Sequence, residues 1–77
     1  MDIRNKVGLR IKELRLQLTL TQEALAYKAD IDKTYVNEVE NGKRNISIVN
    51  LEKLIVALDC SISSFFDHQS FSGGLEI

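Results

Sequence analysis

An all-α fold of five short helices is what this sequence predicts, on three observations. Apolar residues recur every three or four positions in successive segments, which is the period of a helix and not of a strand. None of the 77 residues is proline, so no segment is interrupted by one. Short links carrying Ser, Thr, Asp or Gly at the segment ends supply start and stop signals.

The first helix spans about residues 2–17, on the stripe Ile3, Val7, Ile11, Leu14 and Leu18. Arg4, Lys6, Lys12, Glu13 and Arg15 fall on its flanks, while Leu9 and Leu16 lie off the stripe and face a different neighbour. Thr21 caps a second helix from Gln22 to about Ala29, with Glu23 in the first turn where the helix dipole favours an acid. Leu25, Ala26 and Ala29 form its inward face. Asp32 caps a third, from Lys33 to about Asn41, which buries Val36 and Val39 and part of Tyr35. Gly42 follows, where a helix stop needs a residue tolerant of positive φ. Ser47 begins a fourth helix with Leu51, Leu54, Ile55 and Leu58 inward. Ser61 caps a fifth, through about Asp67, carrying Ile62, Phe65 and Phe66. Residues 1–69 therefore read as one domain and 70–77, "SFSGGLEI", as a flexible tail.

Composition narrows the function classes. At 44% hydrophobic and 27% charged residues, the chain is that of an ordinary globular domain. No signal-like segment or apolar run long enough for a membrane span occurs, and a cytoplasmic location is expected. With one cysteine there is no intrachain disulfide framework, and Cys60 with His68 cannot by themselves make a zinc site. The same two residues lack the third, orienting group of a catalytic constellation, and Cys60 reads as a small hydrophobe. No enzyme, metal or cofactor is expected. Net charge is −1 and the isoelectric point about 5.7, below the usual range of a nucleic-acid binder. The charge is uneven, however: residues 1–44 carry nine Lys/Arg against seven acids, and residues 45–77 one against four. A local basic surface suffices where screening confines the field to roughly 8 Å. A core this small also needs further burial from a partner. Phe65 and Phe66 either supply it or cap the core of a single chain.

The second and third helices are separated by a tight turn, and small Ala26 lets them cross closely, as a helix-turn-helix requires. Asp30 occupies the turn, where aspartate tolerates a left-handed backbone better than most residues. With Val36 and Val39 inward, Lys33, Thr34, Asn37 and Glu38 share the outer face near the start of the third helix, the part that enters a major groove. Lysine donates to guanine, threonine offers a hydroxyl and a methyl, and asparagine pairs with adenine. Glu38 either accepts from cytosine or repels phosphates. Just past the helix end, Lys43, Arg44 and Asn45 put donors where phosphates flank the groove. Gln22 offers a side-chain amide and free backbone N–H groups to a phosphate on the other side. A protein-binding module of the same shape is the rival reading, which the low isoelectric point favours.

The stretch "TQEALAYKADIDKTYVNEVENGKRNISIVNLEKLIVAL", residues 21–58, resembles the Cro/C1-type (XRE) helix-turn-helix domain. Within that group it is most similar to controller proteins of restriction–modification systems; with the first helix and "SISSFFD", the resemblance covers about residues 3–67. It implies a compact five-helix lambda-repressor-like fold. It implies that Lys33, Thr34 and Asn37 face bases, although many controllers carry arginine where Lys33 stands, and lysine lacks the bidentate fork. It implies that Gln22, Tyr35, Arg44, Asn45 and Asn50 hold phosphates, with entry of Arg44 into a groove as the alternative. It also implies a homodimer joined through the last helices, with Leu58, Ile62, Phe65 and Phe66 at the interface, on a pseudo-palindromic double-stranded operator. Activation of its own and an endonuclease gene at low occupancy, through RNA polymerase, and repression at high occupancy follow from the same resemblance. Antitoxins and phage-type repressors share much of the pattern. The chain departs from it at Asp30 and in lacking Glu three positions after Thr21, changes that bear on turn stability.

Overall fold

The structure, a computed structural model, describes residues 2–72. Helix α1 spans Ile3–Gln17, α2 Gln22–Ala29, α3 Lys33–Glu40, α4 Ile48–Ala57 and α5 Ile62–Phe66. Each begins on an oxygen-bearing cap: Asp2, Thr21, Asp32, Ser47 and Ser61 accept from a backbone N–H of the first turn that would otherwise lack a partner.

The first four helices also end alike. A left-handed residue follows each, at Thr19, Asp30, Gly42 and Asp59, with φ between 56° and 72°. That bend turns the next N–H back onto the carbonyl five residues earlier: Leu20 to Arg15 at 3.0 Å, Ile31 to Ala26 at 2.9 Å, Lys43 to Glu38 at 2.9 Å and Cys60 to Ile55 at 3.3 Å. Of the four, only Gly42 occupies this conformation without steric cost.

The core draws Val7 and Ile11 from α1, Leu25, Ala26 and Ala29 from α2, Val36 and Val39 from α3, and Leu54, Ile55 and Ala57 from α4. Leu58, which caps α4, and Phe65 of α5 complete it. Each large side chain buried here contributes roughly 1.5–3 kcal/mol. Helix α1 packs on α3, α2 on α3 and α4, and α4 on α5. The α1–α3 crossing depends on Gly8, which is buried: a Cβ there would strike the backbone carbonyls of Val39 and Glu40. Arg10 ties α5 to α1, donating from Nε to Phe65 O at 2.8 Å and from Nη2 to Ser64 O at 3.0 Å.

The apolar stripe of α1 is shorter than its periodicity suggests. Ile3 and Leu18 are exposed at its two ends, and Leu9 and Leu16 are exposed as well. Arg15, in contrast, is not on a solvated flank but buried, because it stands one turn beyond Ile11 on the inward face. The expected tail also needs correction at its start. Gln69–Phe71 form a 3-10 helix, and Phe71 packs against the core, its ring 5.0 Å from that of Phe66 in an edge-on arrangement. Residues 73–77 of the expected tail lie outside the described residues. None of the described helices is long and apolar enough to cross a membrane.

Candidate nucleic-acid interface

Helix α3 presents Lys33 and Thr34 in its first turn and Asn37 one turn later, all exposed. Val36 and Val39 hold the helix from beneath, so the period of α3 fixes which side chains face outward. Asp30 takes the left-handed conformation expected of it, at φ 57°, and brings the α2 C-terminus directly onto the cap of α3.

Behind that face lies a polar network that crosses three helices. Arg15 Nε donates to Glu40 Oε2 at 2.6 Å and Nη2 to Glu40 Oε1 at 3.0 Å, a two-pronged ion pair. Both residues are buried, at 8% and 6% exposure. The remaining Arg15 nitrogen, Nη1, donates to Leu20 O at 2.8 Å. Glu40 Oε1 also accepts from Gln22 Nε2 at 3.0 Å, and Gln22 Oε1 in turn accepts from Asn37 Nδ2 at 3.1 Å. Asn41 Nδ2 closes the chain by donating to Asn37 O at 2.9 Å. Gln22, expected to offer its amide to a phosphate, therefore has both ends of that amide engaged inside the chain.

A second cluster sits past the C-terminus of α3. Arg44 Nε donates to Glu38 Oε1 at 2.7 Å, and its guanidinium lies 4.8 Å above the centre of the Tyr35 ring. The Tyr35 hydroxyl accepts from Asn50 Nδ2 at 3.3 Å. One Glu38 carboxylate oxygen accepts from Arg44, and the other has no hydrogen-bond partner among the described residues. Lys43 and Asn45 flank the cluster, exposed. Of the expected donors, Arg44 from the turn after α3 and Asn50 from α4 thus meet on Tyr35.

On α4 and α5 the surface changes character. Ile48, Val49 and Ile62 are 85%, 64% and 54% exposed, and with Leu51, Ile55 and Phe66 they line an apolar groove that also includes Glu52. Two of the residues expected at a dimer contact are not on this surface. Leu58 and Phe65 are 3% and 0% exposed, enclosed by the core of their own chain, and so cannot touch a second one. Ile62 remains free, and Phe66 is half-buried against the rings of Phe65 and Phe71.

Cys60 is half-buried with its thiol toward Ser61 O at 3.4 Å, and His68 pairs with Ser70 at 2.8 Å and lies 3.7 Å from Glu13. No hydrogen bond joins the two. Among the described residues no group of three or more His, Cys, Asp or Glu is placed to hold a metal ion.

Comparison with known proteins identifies the family and supports the fold. A family profile described as helix-turn-helix matches residues 11–65. The control protein C.MunI of a Mycoplasma species is 46% identical over 66 residues, which span 84% of this chain and 89% of that protein. The crystal structure of the restriction-modification controller protein C.AhdI from Aeromonas hydrophila matches with a TM-score of 0.78 at 44% identity, covering 82% of this chain and 96% of that one. The controller protein C.Esp1396I, crystallised as a tetramer in complex with its natural 35 base-pair operator, matches with a TM-score of 0.82 at 39% identity, covering 86% and 87%.

Proposed function

The chain belongs to the XRE-type helix-turn-helix family, among the restriction–modification controller proteins, and from that membership we propose that it is a sequence-specific transcriptional regulator that binds a pseudo-palindromic DNA operator as a homodimer. The observation that supports this reading is the cluster past the end of α3, where Arg44 pairs with Glu38 and lies over Tyr35, on the same helix that exposes Lys33, Thr34 and Asn37, with Lys43 and Asn45 exposed on either side of Arg44 in the chain. Lys33, Thr34 and Asn37 stand where a recognition helix meets base edges, and Lys43, Arg44 and Asn45 where its flanking phosphates lie. Tyr35 and Asn50 hold Arg44 in place and contribute to the same phosphate cradle.

The apolar groove of α4 and α5 supplies the second half of the reading. Ile48, Val49, Ile62 and Phe66 meet the same residues of a second copy about a two-fold axis, and the two α3 helices then enter the major groove about one DNA turn apart. The controller relative bound to its operator as a tetramer supports assembly on DNA. The genes governed are this chain's own and that of an endonuclease, switched on at low occupancy through contact with RNA polymerase and off at high occupancy. No catalytic role is assigned to any residue.

The test is a gel-shift titration against DNA from immediately upstream of the gene, at two salt concentrations. A discrete complex that weakens steeply with added salt, as phosphate contacts require, is the expected result. Absence of any complex below micromolar protein refutes the reading and leaves the fold as a protein-binding module.

A further inference from the structure

We propose that Glu40, acting through Gln22, fixes which edge of Asn37 faces the DNA, and so sets base preference from inside the core. The inference rests on the reading above that Asn37 meets a base. A carboxylate only accepts hydrogen bonds, so the end of the Gln22 amide that lies 3.0 Å from Glu40 Oε1 has to be its NH2. The Gln22 carbonyl oxygen then points the other way, and only a donor can meet it. Asn37 meets it with Nδ2 at 3.1 Å, which turns the Asn37 carbonyl oxygen away, toward Asn41 Nδ2 at 3.4 Å.

Each amide taken alone could be rotated end for end at little cost, since its two ends have nearly the same shape. Joined to a buried charge, neither can. Arg15 holds Glu40 with two hydrogen bonds, so the fixed end of the chain is itself rigid. The order Arg15, Glu40, Gln22, Asn37 therefore runs from the core to the exposed face of α3 and leaves Asn37 with one spare N–H and one carbonyl oxygen in a set order. That ordered pair is what recognition of adenine N7 and N6 requires, and the reversed pair does not match it. Glu40 and Gln22 are positioning residues here, since they act through Asn37.

Two readouts test this. In the free protein, the Asn37 side-chain amide is followed by NMR in the wild type and in Gln22→Met, which keeps the length of Gln22 but replaces its carbonyl with a thioether that accepts only weakly and its NH2 with a methyl that cannot donate to Glu40. The Asn37 NH2 signals are expected to move toward those of a solvated amide and to lose their slow, ordered relaxation. On DNA, operators carrying each of the four base pairs at the position whose preference disappears in Asn37→Ala are titrated. The wild type is expected to favour one base pair by roughly fivefold to 150-fold, and Gln22→Met and Glu40→Gln to bring the four within about twofold of each other. Retention of the wild-type preference in Gln22→Met overturns the proposal, including the case in which affinity falls equally for all four, which makes Gln22 a phosphate contact only. Should Glu40→Gln fail to fold, Gln22→Met decides alone. Should the wild type bind no operator, the regulatory reading fails, and the Asn37 signals of the free protein still decide whether the orienting chain exists: unmoved by Gln22→Met, they overturn it as well.

Discussion

The surface around α2 and α3 and the surface around α4 and α5 are built from the same short capped helices, yet they finish their interactions differently. On the first, polar side chains are matched to one another before any partner arrives: Arg15 with Glu40, Glu40 with Gln22, Gln22 with Asn37, and Arg44 with Glu38 over Tyr35. On the second, Ile48, Val49 and Ile62 are exposed, with none of the described residues covering them. The first surface is thus held in shape by hydrogen bonds within one copy, which suits the base-reading role proposed for it. The second acquires its stabilising burial only when another apolar surface meets it. If the first surface reads DNA and the second pairs two copies, as proposed, the two roles are separable, and substitutions on one side should leave the other intact.

The largest expected effect comes from breaking the first network at its root. Glu40→Ala leaves the Arg15 guanidinium buried without its partner, and unfolding by denaturant should show a loss of about 3–5 kcal/mol. Ile62→Asp attacks the other side. It should leave the fold of the single chain nearly unchanged by circular dichroism, while weakening association of two copies by roughly 2–3 kcal/mol in sedimentation, because an apolar side chain is lost from each partner. Two substitutions then divide the polar face itself: Arg44→Ala should weaken binding to all DNA alike, whereas Lys33→Ala should relax preference at one base per half-site by ~1–3 kcal/mol. Equal, sequence-independent losses from both would contradict that division.

Two further changes touch neither surface and serve as controls. Thr19 is β-branched and holds φ at 56°, so Thr19→Gly should raise thermal stability by about 1 kcal/mol without altering DNA affinity or association. The smallest effect is at the start of α1. Hydrogen bonds from the Arg4 side chain and backbone N–H hold the Asp2 carboxyl at about 2, below its ordinary 3.8. A depressed carboxyl favours the folded state when ionised, so its contribution is complete above pH ~4 and lost as pH falls through about 2. Hydrogen exchange at the Arg4 amide should accelerate over that window, with both surfaces unaffected at neutral pH.

Much of this was legible in the sequence because it is local. The caps at Thr21, Asp32, Ser47 and Ser61 and the left-handed stop at Gly42 are set by residues within a few positions of each other. The fold class and the exposed faces of Lys33, Thr34 and Asn37 follow from the helical period alone. What escaped depends on contacts far apart in the chain. Arg15 and Glu40 are 25 positions apart, yet a signal for them exists: Arg15 continues the spacing of Val7 and Ile11, and Glu40 that of Val36. Two opposite charges, each in register with an apolar stripe, point to a buried pair. Gly8 carries no such mark, because its role is set by carbonyls of α3 that only the folded chain brings near. Phe71 was hidden by its glycine- and serine-rich surroundings, which describe the local chain and not the rings of Phe65 and Phe66 against which it lands. Leu58 and Phe65 show the converse: the period identifies them as apolar and inward, but not whether inward means the core or a partner.

The central claim is that the apolar side pairs two copies so that the polar side can read DNA. Sedimentation of the protein with a labelled operator duplex tests it most directly, since the mass of each complex counts the chains bound. Complexes should grow in steps of two 8.7 kDa chains, and Ile62→Asp should abolish those steps at the same protein concentration. Growth by single chains, or a paired step unaffected by Ile62→Asp, would contradict it.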